Sequence, residues 1–270
     1  GPITHTPDGG FLLGPAEGLP NYWLCCGASI GITQGPGCGK FLAQWMTHGQ
    51  TEINVREMDP RRFGKWATGD YAIAKSVDEY EQMYQPHLPG EFREAGRPTR
   101  VTPLYEPLKQ AGALYGDTFG WERAKWYAAK GEKENYSFRR NNSFAAVAEE
   151  CKAVRERVGL TDLTSFSKYE VLGKDAQGFL ERLCANRVPT KMGGITLSQM
   201  LTEKGGIESE ATIACLAENH YYLLSAAVAE LHDFDWLVQH VQKGEDVAVT
   251  NVTADFGVLL LTGPLSRDVL

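Results

Sequence analysis

The sequence predicts an α+β protein that carries parts of more than one domain. Three observations lead there. A strand over 22–26 runs into a glycine-dense stretch and then a helix closed by Gly49; the stretch 50–103 shifts to Arg, Tyr, Glu and Pro; and from Ser143 onward amphipathic helices alternate with short strands. The 270 residues are 43% apolar and 10% aromatic, ample for a core, which excludes disorder as the main state.

The elements follow in order. A turn at Thr6-Pro7-Asp8-Gly9-Gly10 precedes the apolar Phe11-Leu12-Leu13 and a second turn at Gly14-Pro15. After the first strand come Gly27, Gly31, Gly35, Gly37 and Gly39, and Pro36 sits where a helix would begin, because its missing N–H and fixed φ suit the first helical position. Phe41, Leu42, Trp45 and Met46 then recur at helical spacing. A helix over 76–84 is capped by Ser76 and stopped by Pro86. Residues 104–135 are rich in aromatics and charge. Ser143 caps the next helix, whose apolar stripe is Phe144, Val147, Ala148, Cys151 and Val154, and Gly159 ends it.

A strand over 169–172 and a helix over 175–186 lead to a hairpin, 196–202 against 207–216, turned by Glu203-Lys204-Gly205-Gly206. A strand over 221–225, a helix marked by Leu231, Phe234, Leu237, Val238 and Val241, and strands over 247–252 and 257–262 complete the pattern. Ser266 then caps a helix that stops at Leu270, about one turn in, too short to hold itself in water. The expectation is a piece of a longer polypeptide. The chain opens at Gly1, so targeting is not read from it.

Charge and composition exclude several function classes. The 27 Lys+Arg against 34 Asp+Glu give a net charge of −7, which argues against a partner held by phosphate neutralisation, and so against nucleic acid. No apolar run approaches the roughly 20 residues that span a bilayer. The six cysteines show no C-x-x-C, and no His-x-x-x-His pair accompanies them, so they read as reduced, mostly buried thiols and not as a metal site.

The glycine run Gly35-Pro36-Gly37-Cys38-Gly39-Lys40 is not a phosphate loop, because Gln34 stands at the first glycine of that pattern and Phe41 at its Ser or Thr. Nor is it a dinucleotide fingerprint, since Lys40 falls at the third glycine. What remains is a helix N-terminus with bare N–H groups, which stabilises negative charge, or a plain strand-to-helix packing turn. The string from Gly1-Pro2-Ile3-Thr4 through Gly14, and Gly27-Ala28-Ser29-Ile30-Gly31-Ile32-Thr33 to Trp45-Met46, resembles the C-terminal part of the flavin domain in the dimethylglycine and sarcosine dehydrogenase family. The resemblance continues through Asp59-Pro60-Arg61-Arg62-Phe63-Gly64 and Gly120-Trp121-Glu122-Arg123. It implies that residues 1–49 close a glutathione-reductase-like FAD domain, that 50–103 form a connecting subdomain, and that Gly27, Ser29, Ile30, Gly31, Ile32, Thr33 and Gly35 contact FAD. Arg61 and Arg62 read as solvated charges without chemistry, and Trp121 and Trp126 as packing.

Leu160-Thr161-Asp162-Leu163, Leu183-Cys184-Ala185-Asn186 and Leu201-Thr202-Glu203-Lys204-Gly205-Gly206-Ile207-Glu208-Ser209-Glu210 look like the N-terminal portion of the folate-binding aminomethyltransferase domain of glycine-cleavage T-protein, here over 104–270. Strand alternation puts Glu208 and Glu210 on one face and Ser209 on the other. Two like charges on a buried face make a usable acid or base; on a solvated face they are surface charge. The resemblance singles out Glu210, which stands where T-protein-like domains carry an acid, usually Asp, beside the reactive nitrogens of tetrahydrofolate. Tyr169, Met200 and Tyr222 are candidates for the pterin side, or core. His232 and Asp233 are adjacent on a helix and diverge, so they read as structural or surface and not as a dyad.

The resemblance therefore implies a fragment of a flavin-dependent N-methylglycine dehydrogenase or oxidase, using FAD and tetrahydrofolate, with Glu210 as general base and oxygen or an electron-transfer flavoprotein as acceptor. It implies the mitochondrial matrix for a eukaryotic source and the cytoplasm for a bacterial one. Two rivals share the resemblance: a non-catalytic subunit like the regulatory subunit of pyruvate dehydrogenase phosphatase, and a folate-dependent aminomethyltransferase with a vestigial flavin domain.

Overall fold

The computed structural model describes residues 3–270, so Gly1 and Pro2 of the flavin-domain string lie outside the described residues. Contacts divide the chain into two units: one runs to Val101 and resumes over Tyr105–Val147, the other comprises Thr102–Leu104 and Ala148–Leu270.

The first unit begins with an antiparallel hairpin of β1 (Leu12–Pro15) and β2 (Trp23–Cys26), followed by α1 (Gly31–His48). Leu13, Trp45 and Val55 form a small buried cluster that Trp23, Phe41 and Leu42 pack against. Gly14, at φ 143, has Trp45 Cζ3 only 2.8 Å from where a Cβ would sit, so the hairpin admits no side chain over the indole. Helix α1 starts at Gly31 and not at Pro36, which lies inside it. At the sixth helical position the ring forfeits only one bond, to a carbonyl of the first turn, so the helix tolerates it.

Helix α2 (Gly69–Gln82) is capped by Thr68, whose hydroxyl accepts from the Tyr71 N–H. It thus begins well before the Ser76 expected from sequence; Ser76 instead donates to the His5 carbonyl. After α3 (Tyr105–Gln110) comes a second hairpin, β3 (Ala113–Thr118) with β4 (Trp121–Tyr127), which the sequence did not announce as strands. Its turn places Phe119 at φ 50 and Gly120 at φ 75, and a Cβ on Gly120 would meet the Trp66 ring at 2.6 Å. Trp121 and Trp126 are buried, as packing residues.

This unit also buries charge: Asp59, Arg62, Lys75 and Glu122 are all buried. Arg62, 6% exposed, is not a solvated cation: its guanidinium donates to both Asp8 carboxylate oxygens at 2.7 and 2.8 Å and to the Asp59 carbonyl at 3.0 Å. Arg97 and Glu122 form a two-pronged pair at 2.9 and 2.7 Å with side chains 4% and 2% exposed. Lys75 donates to the Arg93 carbonyl, and burial pulls its pKa down. The reading of Arg62 failed because a sequence shows where a cation sits but not the carboxylate 54 residues away that lets it be buried.

Helix α4 (Ser143–Glu156) forms as expected, with Ser143 as its first residue, but none of its residues is buried; Phe144, Ala148 and Cys151 stay exposed. The second unit continues with β5 (Gly159–Asp162), β6 (Ser167–Leu172), α5 (Ala176–Leu183), β7 (Ile195–Leu201), β8 (Ile207–Ala217), β9 (His220–Ser225), α6 (Glu230–Gln239), β10 (Ala248–Asn251), β11 (Leu259–Thr262) and α7 (Ser266–Val269). Five strands make an antiparallel sheet in the order β10-β6-β9-β8-β7, and β5 pairs with β11. Tyr169, Val171, Ala211, Ile213, Cys215, Tyr221 and Leu223 alternate along β6, β8 and β9 and pack with Phe179, Leu180, Trp236 and Leu237 of α5 and α6. All six cysteines are free thiols, yet only Cys215 is buried, which corrects the expectation that most would be.

Candidate functional site

The sheet's other strand positions build the site. Core residues of β8 and β9 are odd-numbered, and the intervening Glu210, Thr212 and Leu224, with Leu197 of β7, line a cavity of about 370 Å³. Phe166 and the 225–229 connection complete much of its wall, and Glu208, His232 and Asp233 close it on the α6 side. Apolar side chains and a few acceptor groups thus converge on one concavity, the usual form of a small-molecule site.

A bulge sets how the carboxylates meet it. Leu201 pairs with Ile207 but Met200 with Ser209, so Glu208 is the extra residue of β8. Strict alternation therefore breaks at this point, and Ser209 lines the cavity along with Glu208 and Glu210. Glu210 is exposed, and its carboxylate accepts from Gln199 Nε2 at 2.6 Å across the β7–β8 pair.

The His232–Asp233 reading is overturned. His232 Nδ1 lies 2.8 Å from Asp233 Oδ1 and its Nε2 lies 2.7 Å from Glu208 Oε1. Cα–Cβ vectors of adjacent helical residues do diverge, but these two stand in the first turn of α6, where the ring folds back on its neighbour while its far edge reaches β8. Asp233 is fully buried, and its second oxygen has no hydrogen-bond partner among the described residues. Ionised carboxylates only accept, so both ring contacts are hydrogen bonds when both ring nitrogens carry hydrogen.

The pterin-side candidates separate. Tyr169 and Met200 are core residues, 1% exposed, and the Tyr169 hydroxyl donates to the Glu230 carbonyl at 2.8 Å. Burial, then the charge of Asp233, pushes the Tyr169 pKa up, which keeps it a neutral donor. Tyr222 meets Phe256 edge-on at 6.1 Å. None of the three lines the cavity.

The residues expected at FAD gather at one end of α1. Gly27, at φ 79, packs so tightly that a Cβ would lie 2.8 Å from Thr6 Cγ2. Ser29 is half-buried, Ile30 is the N-cap without a side-chain cap bond, and Gly31, Ile32, Thr33 and Gly35 occupy the first turns. Ile32 is 99% exposed, and no acidic residue stands in that first turn. Among the described residues no group of three or more His, Cys, Asp or Glu side chains is placed to hold a metal, and no helix is long and apolar enough to cross a membrane.

Comparison with known proteins supplies the family. Residues 104–270 match the family model of the GCVT N-terminal domain, and residues 48–102 that of the FAD dependent oxidoreductase central domain. The chain is 40% identical over 274 residues to dimethylglycine dehydrogenase, mitochondrial, of Mus musculus, covering 100% of this chain and 31% of that protein. It is 31% identical over 278 residues to the pyruvate dehydrogenase phosphatase regulatory subunit, mitochondrial, of Mus musculus, covering 100% of this chain and 32% of that one. The chain thus spans about a third of the length of these relatives. Among solved structures, glycine cleavage system aminomethyltransferase T from Bartonella henselae aligns with a TM-score of 0.53 at 26% identity, covering 63% of this chain and 42% of that one. A family model over most of the chain and a structural neighbour of the same kind agree: the chain belongs to the GCVT N-terminal domain family, and residues 48–102 ahead of that domain match the FAD dependent oxidoreductase central domain.

Proposed function

We propose that this chain is part of a flavin-dependent dehydrogenase or oxidase acting on an N-methyl amino acid such as dimethylglycine or sarcosine, which hands the one-carbon unit to tetrahydrofolate. The observation that carries this reading is the union, in one chain, of matches to an FAD oxidoreductase domain and a GCVT domain with a cavity that Glu208 and Glu210 line. In this reading residues 1–49 end a glutathione-reductase-like flavin domain, 50–103 connect, and 104–270 begin the folate domain. The whole protein works in the mitochondrial matrix or, in a bacterium, the cytoplasm.

The residues present fit both groups. Phe166, Leu197 and Leu224 offer apolar walls to a pterin ring while Glu208, Glu210 and Thr212 supply polar partners for its N–H edge. The first turn of α1 is free of acidic side chains, and while the Thr33 and Gln34 N–H groups donate to the Ile30 carbonyl, those of Gly31 and Ile32 are left to an electron-rich flavin edge, flanked by Gly27, Ser29, Ile30, Gly31, Ile32, Thr33 and Gly35. FAD supplies hydride acceptance and tetrahydrofolate supplies nucleophilic nitrogens. Glu210 acts as general base, holding the proton released at those nitrogens; Gln199 fixes its carboxylate from the neighbouring strand.

The test uses the full-length protein. Flavin absorbance that bleaches on adding dimethylglycine or sarcosine supports the reading, and a colourless protein sinks it in favour of a non-catalytic subunit like the phosphatase regulatory one. Reoxidation with and without oxygen separates oxidase from dehydrogenase. Glu210→Gln is expected to slow capture of the one-carbon unit by tetrahydrofolate roughly 10²-fold, read as methylenetetrahydrofolate formed per flavin reduced. An unchanged yield removes Glu210 from the mechanism.

A further inference from the structure

The two glutamates that line the cavity are held differently. Glu210 is exposed and bonded across the strand pair, whereas Glu208 stands at a bulge, where backbone pairing alone does not dictate its direction. What meets it is His232, 2.7 Å away, with side chains 15% and 21% exposed. Behind His232 stands Asp233, fully buried at 2.8 Å, with its remaining oxygen unpartnered among the described residues although the residue lines the cavity. Leaving a carboxylate oxygen buried and unpaired is costly, and the contact of Asp233 Oδ1 with His232 Nδ1 offsets part of that cost while fixing the ring.

We propose that His232 is a positioning residue: anchored on Asp233, it holds the Glu208 carboxylate against the cavity so that Glu208 and Glu210 together face a ligand rich in N–H donors. This rests on the folate reading above, in which that ligand is the reduced pterin. The imidazole serves because it is rigid and has nitrogens on two edges, one for each acid. Glu208 then takes hydrogen bonds from the ligand without first paying the entropy of ordering its own side chain.

The two amide substitutions separate positioning from packing. His232→Gln places an amide N–H near the Nε2 position, toward Glu208; His232→Asn places one near Nδ1, toward Asp233 only. In the full-length holoprotein the dissociation constant for 5-formyltetrahydrofolate, a stable reduced folate, is measured by calorimetry. His232→Ala and Glu208→Gln are each expected to weaken binding roughly tenfold, and the double variant no further than either single. His232→Gln recovers most of the affinity and His232→Asn does not. Full additivity in the double variant, wild-type affinity in His232→Ala, or equal behaviour of the Gln and Asn variants overturns the proposal. If the wild-type protein binds no reduced folate, the folate reading falls, and a crystal structure of the His232→Gln and His232→Asn proteins decides the positioning by itself. Glu208 kept at the cavity in the first and turned from it in the second supports it; Glu208 unmoved in both overturns it.

Discussion

In the first unit, Arg62 and Arg97 are buried in ion pairs with Asp8 and Glu122 and the buried apolar cluster is three residues, whereas in the second, fifteen residues make one apolar cluster between a five-stranded sheet and helices α5 and α6. Apolar burial is non-directional and tolerates repacking. Paired charge demands both partners, because removing one leaves the other desolvated and uncompensated. The difference teaches where each unit is brittle: the second through lost volume, the first through lost partners.

The sharpest way to break this comparison is in the second unit. Phe179 is fully buried, and Phe179→Ala is expected to cost about 4 kcal/mol in urea unfolding, from lost transfer energy plus the cavity left behind. A loss below about 1 kcal/mol would show that the sheet-and-helix core is not what holds this unit. In the first unit, Arg97→Met is expected to cost about 3 kcal/mol by stranding Glu122, and Arg97→Met combined with Glu122→Leu should restore most of that. A double variant as unstable as the single would mean that the pair is needed for more than mutual neutralisation.

A smaller effect sharpens the same point. Burial raises the pKa of Asp117, with Lys75 and Arg97 opposing and Glu122 adding to it, and one of its oxygens has no hydrogen-bond partner among the described residues. A carboxyl whose folded pKa lies above its unfolded one stabilises the fold while protonated, and that contribution is lost as pH rises through the raised value. Asp117→Asn is therefore expected to be more stable than the parent at neutral pH, with the gap closing on acidification. Thermal unfolding at both pH values checks this, and a variant less stable at neutral pH would mean that the attraction of Lys75 and Arg97 outweighs burial.

Much of the fold was legible along the chain, element by element. The hairpin of β7 and β8 showed itself through Gly205-Gly206 between alternating runs, and α6 through its apolar spacing. The β3–β4 hairpin escaped because its strand Trp121–Tyr127 carries Glu122 and Lys125, charges that are admissible there only once Arg97 and Glu134 are known to meet them. Pro36 misled for a related reason: its preference for a helix start is a local tendency, and α1 had already begun at Gly31. The site divides in the same way. Glu210 stood out from sequence, but His232 did not, since adjacency in a helix argues against a dyad and nothing local points to Glu208 24 residues earlier.

The sequence by itself determined what depends on neighbours along the chain: the periodicity of the helices, the glycine turns, the acidic pair at 208 and 210, and a family resemblance spread over its whole length. The tertiary structure alone decided what depends on neighbours in space: that Arg62 is buried, that most cysteines are not, that a bulge at Glu208 interrupts the alternation of β8, and that Asp233, His232 and Glu208 stand in line at one cavity. Charge and hydrogen bonding act over a few ångströms of space whatever the separation in sequence. A residue's chemistry could therefore be read from its type, but its use only from the partner that the fold brings to it.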